Sequence, residues 1–281
     1  MRRIYTMKQR IITAIVLAII AIPVCIFSGS VLFPILWAFL GVVGVWELLG
    51  CMGTRNRLAI SIPLYILAIV SPLAVWRGYN SFIVNFQPNY SAILLPLLLV
   101  LYILAVWVFS YQKDQEVDMN RIIASALVSL YIIGACSSVV MVREARGGEY
   151  YWYFVFIGAW VTDIFAYFTG MLFGKHKLIP AVSPKKTVEG AIGGTVFCVI
   201  FFVGFGALLN RFTQYEVSLL TLAAAGLISA FVSMIGDLSM SVIKRTYGIK
   251  DYGKLFPGHG GVLDRFDSIL AVAIVLALFL A

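Results

Sequence analysis

Apolar runs of 18 or more residues recur along this chain, and each is long enough to cross the roughly 30 Å hydrocarbon core of a bilayer. Nine are expected, at about 11–28, 31–52, 58–76, 91–111, 121–142, 151–173, 188–210, 218–243 and 262–281. With 62% hydrophobic and 12% charged residues over 281 positions, the composition lies outside the range of soluble domains. The expected fold is an all-α polytopic membrane protein of about nine transmembrane helices. The connections are short, so any chemistry must use helix ends, short loops and polar groups within the membrane.

Lys and Arg orient such a bundle. With a cytoplasmic N-terminus, the inside segments carry Arg2, Arg3, Lys8, Arg10, Arg55, Arg57, Lys113, Arg121, Lys175, Lys177, Lys185, Lys186, Lys244, Arg245, Lys250, Lys254 and Arg265. The outside segments carry only Arg77, Arg143, Arg146 and Arg211. That asymmetry predicts N-terminus in and C-terminus out. The first run follows a basic stretch as a signal peptide would, but it is long, has no clear small-residue cleavage site and is followed at once by further spans. It is expected to remain as the first helix. The net charge of +8 needs no nucleic-acid partner; it reflects the orientation bias and suits anionic lipid head groups.

Character changes along the chain. Residues 1–150 hold few ionisable groups within the spans, Glu47 being the exception, and read as a scaffold of about five helices. Glu47 is expected to snorkel or pack at the inner end of its span, and the acid-rich 112–118 stretch to form a solvated loop. Residues 151–281 read as the working region of about four helices, with cytoplasmic loops 174–187 and 244–261. Gly170-Met-Leu-Phe-Gly174 and Gly190-Ala-Ile-Gly-Gly194 have the spacing of close helix–helix approach. Cys25, Cys51, Cys136 and Cys198 are scattered, as small buried residues are, and with two histidines they leave no basis for a zinc site.

Ionisable groups inside a membrane are expensive and mark function. Asp163 lies mid-span. Ser233, Asp237, Ser241, Lys244 and Arg245 fall on one helix face, which must line a polar cavity. Asp264 and Asp267 share a face at the start of the last helix. Carboxylates at one depth repel unless a cation intervenes, and Mg²⁺ takes one or two carboxylates plus phosphate and water. Asp237 and Asp264 are the expected Mg²⁺ ligands, and Asp267 holds a second cation or orients Arg265. Between these helices runs Lys250–Gly261, rich in glycine, whose N–H groups and flanking cations suit an anion. A second basic segment, Ser183-Pro-Lys-Lys-Thr187, offers Ser183, Lys185 and Lys186 to phosphate, and Thr187 as cap of the next helix. His259 suits an acid, base or phosphate donor, or a structural turn.

The run from Ser241 to Asp267 resembles the C-terminal signature of the phosphatidate cytidylyltransferases, the CDP-diacylglycerol synthases. Ser-x-apolar-Lys244-Arg245, then Lys250-Asp251, then Pro257-x-His259-Gly260-Gly261, then Asp264-Arg265-x-Asp267 fill its fixed positions in order. Ser183–Gly190 and Asp163 are similar to that family's upstream features. The likeness covers residues 150–281 well and the first 150 only as a run of spans. It implies an enzyme that joins CTP and phosphatidic acid to give CDP-diacylglycerol and pyrophosphate. It also implies Mg²⁺ dependence, stimulation by a monovalent cation such as K⁺, and a homodimer. Asp237, Asp264, Lys244 and Asp163 are then the catalytic candidates; Ser183, Lys185, Lys186, Ser241, Arg245, Lys250, His259, Gly260, Gly261 and Arg265 bind substrate; Asp237, Asp264 and Asp267 bind metal. A CTP-dependent lipid-alcohol kinase would need a base for its hydroxyl, for which His259 or Asp163 is available. A transporter would need a polar path through the outer half, where the sequence offers none.

Overall fold

A computed structural model describes residues 23–24, 26–76, 102, 118–256 and 260–280. Seven of the expected spans are helices there. The expected spans at 11–28 and 91–111 fall largely outside the described residues. The helices are α1 (Leu32–Cys51), α2 (Leu58–Val75), α3 (Met119–Glu144), α4 (Gly148–Phe173), α5 (Val188–Phe212), α6 (Leu219–Thr246) and α7 (Leu263–Leu280). The first six are long and apolar enough to cross a membrane. The seventh carries Asp264, Arg265 and Asp267 near its start.

The chain divides into two compact units. One is Ser30–Val140; the other is Met141–Ala281 with Met1–Gly29. In the first, α1 and α2 pack through Leu48, Leu49, Ile60 and Leu64, all fully buried. Hydroxyl pairs join segments distant in sequence, Ser71 of α2 to Ser137 of α3 at 2.7 Å and Thr54, between α1 and α2, to Ser125 of α3 at 3.0 Å, as is common where lipid removes the hydrophobic drive between helices. Glu47 is buried in the packed face of α1, with 1% of its surface exposed; packing, not snorkelling, holds it.

In the second unit, α4 packs on α5 through aromatic side chains. Phe165 and Phe197 stack at 4.0 Å, and Phe154 meets Phe202 at 4.8 Å. The outward faces stay apolar, with Phe168, Ile192, Leu208 and Phe231 exposed, as befits helices that meet lipid on one side and protein on the other. The two Gly-x-x-x-Gly pairs lie where α4 and α5 cross, as their spacing predicts. A Cβ on Gly190 would sit 2.6 Å from the Ala166 carbonyl oxygen, and one on Gly194 2.7 Å from that of Thr162. Both obstacles are backbone and cannot rotate away. Gly190→Ala is therefore expected to cost about 1–3 kcal/mol through forced separation of the helices, read as a lower midpoint of thermal unfolding in detergent.

One feature departs from the all-α expectation. Residues 174–187 are not a plain loop but carry an antiparallel hairpin, β1 (Lys177–Ile179) and β2 (Ser183–Thr187). Pro180 supplies the φ that position i+1 of a turn wants, and the Val182 N–H closes the turn on the Ile179 carbonyl at 3.2 Å. The base is clamped as well. Val188 N–H donates to the His176 carbonyl at 2.9 Å, and Glu189 accepts from the His176 backbone N–H at 3.2 Å and lies 2.7 Å from its Nδ1. Thr187 then caps α5 as expected, its Oγ1 accepting from the Gly190 N–H at 3.1 Å.

Candidate active site

The last turn of α6 holds Lys244 and Arg245, and the first turn of α7 holds Asp264. Each charge suits the dipole of its own helix end, and the two ends meet. Lys244 Nζ donates to Asp264 Oδ1 at 2.8 Å, with 11% and 4% of the two side chains exposed. The other oxygen, Oδ2, accepts the backbone N–H of Tyr252 at 2.7 Å and of Gly261 at 2.9 Å. Asp264 thus draws both ends of the glycine-rich loop onto α7. Gly260 has a φ of +90°, and a Cβ there would fall 2.8 Å from Asp264 Oδ2. Both facts demand glycine. Tyr252 completes the fold of the loop. Its hydroxyl donates to the Met240 carbonyl at 2.9 Å, and its ring lies 5.5 Å from Lys244 Nζ.

Two turns back along α6 from Lys244, Asp237 pairs with Lys186 from the base of β2 and lies 3.4 Å from the Ser241 hydroxyl. Asp267 on α7 and Asp163 on α4 are close enough to Asp237 for their charges to repel it. Ser268 links them: its backbone N–H donates to Asp267 at 2.8 Å and its hydroxyl to Asp163 at 3.3 Å. Four segments, α4, β2, α6 and α7, thereby bring four carboxylates and two lysines to one end of the unit.

A π-helical turn, Ile157–Val161, precedes Asp163 in α4. Such turns shift the backbone ladder by one residue and occur often at functional sites. Side chains take up the Gly158 carbonyl here, Thr162 Oγ1 at 2.6 Å and Cys198 Sγ at 3.9 Å. The extra residue sets the angular position of Asp163 relative to the packed upper part of the helix.

The structure groups Asp163, Asp237, Asp264, Asp267, Lys186, Lys244, Ser241, Gly260 and Gly261. It separates others. Lys185 alternates outward from Lys186 along β2 and is exposed, as are Lys250 and Arg265. Arg245 is exposed and donates to the Ile249 carbonyl at 3.3 Å. Ser183 starts β2 at the turn end of the hairpin, and His259 lies outside the described residues. Sequence reasoning missed Tyr252 and Ser268. Their only signal was adjacency to motif acids, because the contacts that matter come largely from backbone N–H groups. Tyr252→Phe removes the bond to Met240 but keeps the backbone N–H on Asp264. The expected loss is about 1 kcal/mol of stability with turnover close to normal, measured by thermal unfolding beside a turnover assay.

Among the described residues no three His, Cys, Asp or Glu side chains converge as a closed metal cage. Each carboxylate instead has a protein donor, Asp237 from Lys186, Asp264 from Lys244, and Asp163 and Asp267 from Ser268. That suits a hard ion which takes one or two carboxylates and completes its shell with phosphate and water.

Bilayer-length helices and a mixed carboxylate–lysine cluster at one end of the bundle define the class, a helical membrane protein with a charged site built from helix ends. The model of the cytidylyltransferase family matches residues 8–281, and the chain belongs to that family. It is 34% identical to the phosphatidate cytidylyltransferase of Staphylococcus saprophyticus over 98% of this chain and 99% of that one. The phosphatidate cytidylyltransferases of Staphylococcus haemolyticus, 32% identical over 98% and 99% of the two chains, and of Bacillus subtilis, 31% identical over 98% of each, are similar throughout.

Proposed function

We propose that this chain is a phosphatidate cytidylyltransferase, which transfers CMP from CTP to phosphatidic acid, giving CDP-diacylglycerol and pyrophosphate, a step of phospholipid synthesis. One juxtaposition carries the reading: Lys186 and Lys244 stand among Asp163, Asp237, Asp264 and Asp267 at the end of a membrane bundle. Relatives so named match almost the whole chain.

The chemistry asks little of a base. The second pKa of a phosphate monoester is about 6, so phosphatidate is mostly ionised near pH 7. One of its phosphate oxygens attacks the α-phosphorus of CTP in line. A new P–O bond forms as the bond from that phosphorus to the bridging oxygen breaks, and pyrophosphate leaves with the electron pair. Such a transfer depends on alignment and charge neutralisation. Lys244 and Lys186 neutralise phosphate at the centre, and Lys185, Arg245, Lys250 and Arg265 supply positive charge at the rim. Ser241 and His259 donate to substrate oxygens, and the Gly260–Gly261 turn shapes the pocket wall. Hard carboxylate oxygens suit Mg²⁺; Asp237 and Asp264 would hold it, Asp264 by exchanging Lys244 for the ion, and Asp267 would hold a second cation or orient Arg265. The ion would spread the charge of the phosphates. A monovalent cation such as K⁺ fits the remaining carboxylate charge near Asp163.

The same reading has nine spans, a cytoplasmic N-terminus, an outer C-terminus and the site facing the cytoplasm of a bacterial-type cell membrane. The Lys and Arg distribution supports it. Residues 1–150 serve as scaffold and 151–281 carry the chemistry. The family resemblance supports a homodimer. The test uses purified protein in detergent with phosphatidate and CTP labelled at the α- or γ-phosphate, with and without Mg²⁺. The expected result is α-label in the lipid, pyrophosphate in solution and no transfer after chelation. Label from the γ-phosphate in the lipid would instead establish a CTP-dependent lipid kinase.

A further inference from the structure

The β1–β2 hairpin is more than a carrier for Lys186. Its turn, Ile179-Pro180-Ala181-Val182, is apolar, and Ile179, Pro180 and Ala181 are exposed. Lys175 and Lys177 are exposed at the base of the hairpin, where Lys177 pairs with Thr187, and Lys185 is exposed along β2. The last turn of α4 adds Met171, Leu172 and Phe173, each at least 60% exposed, so apolar side chains are exposed at the end of the membrane helix as well as at the tip, with Lys175, His176 and Lys177 between them. Both flanking helices, α4 and α5, end where the hairpin begins, which places its base at the edge of the hydrocarbon. The clamp of His176 by Glu189 and the capped start of α5 hold the arm at a set angle.

We infer that this hairpin is a seating element for an anionic lipid leaflet: its apolar tip lies among the acyl–head-group boundary and its outward lysines gather lipid phosphates. Apolar tips flanked by cations bind membranes through buried area and attraction to anionic lipid together. Strand parity then does two jobs with adjacent residues. Lys185 faces the leaflet side, while Lys186, next along the strand, reaches Asp237. Seating the tip therefore sets the position of Lys186 in the site. That the gathered lipid is phosphatidate rests on the function proposed above; the seating itself does not.

The test uses the full chain reconstituted in vesicles, with Ile179→Trp compared against the unsubstituted chain to isolate the added fluorescence. The added tryptophan is expected to be quenched by lipids brominated on their acyl chains and shielded from aqueous iodide. Raising the anionic lipid fraction in phosphatidylcholine vesicles should strengthen the bromine effect, and Lys175→Ala with Lys177→Ala should weaken it. Full access to iodide with no bromine effect overturns the inference, whether or not the protein transfers cytidylyl groups. In the kinetic arm, the paired lysine variant should raise the KM for phosphatidate as a bilayer mole fraction, by about five-fold per lysine at roughly 1 kcal/mol each. Ile179→Asp should raise the same KM, and the KM for CTP should hold in both variants. An equal rise in both KM values would mark a general distortion of the site and overturn the seating role.

Discussion

Asp264→Ala is expected to abolish turnover and to destabilise the protein at the same time. The variant removes one carboxylate that accepts from Lys244, Tyr252 and Gly261. It leaves the Lys244 ammonium largely buried without a partner, and it frees both ends of the glycine-rich loop. Breaking a buried pair by deleting one partner costs roughly 3–5 kcal/mol. Thermal unfolding in detergent reads the stability and label transfer from CTP reads the activity. A companion variant separates the two effects. In Lys244→Met/Asp264→Leu no charge is stranded, so much of the lost stability should return. Turnover should not, because the cation that neutralises phosphate has gone. Recovery of activity with stability would show that the pair serves only the fold.

Asp237→Asn should behave in the opposite way, losing chemistry while keeping the fold. The Lys186–Asp237 pair is about a quarter exposed on each side, with Lys186 Nζ itself buried; asparagine keeps an acceptor oxygen for that ammonium, and the charge of Asp163 still attracts it. Neutralising Asp237 also relieves its repulsion with Asp163 and Asp267. The unfolding midpoint should therefore stay near that of the parent. Turnover should fall by about 10²–10³ or more, the scale for removing one electrostatic contact made in a transition state. Close to normal turnover in the Asp237→Asn variant would take this carboxylate out of the reacting centre. Dependence on Mg²⁺ supplies a second readout: a ligand variant should need more of the ion for half-maximal rate, whereas a packing variant should not.

Much of the architecture was legible because hydrophobic length is a one-dimensional property. The runs at 31–52, 58–76, 121–142, 151–173, 188–210, 218–243 and 262–281 became helices within a few residues of their expected ends. The glycine spacing around 170–194 and the Thr187 cap were readable for the same reason, since each depends on neighbours within a turn or two. The signature from Ser241 to Asp267 likewise pointed to the site. The hairpin was not legible, because its two short strands are held by a turn and by a clamp from Glu189 beyond them. The unequal fates of Lys185 and Lys186 follow from strand parity, which exists only once the strand does. Nor did the sequence separate the partners of Asp264 from those of Asp237. Two of the groups that hold Asp264 are backbone N–H donors, which every residue but proline carries and no sequence pattern marks.

The order of the amino acids thus settled that this is a membrane helix bundle of the cytidylyltransferase family, with its charges concentrated at one end. Apolar run length and motif spacing are local properties, and they survive without coordinates. Only the tertiary structure decided which opposite charges pair, Lys186 with Asp237 and Lys244 with Asp264, and that Asp163 comes beside Asp237, more than 70 residues away in sequence. Pairing energies fall with distance in space, and distance in space is what folding creates.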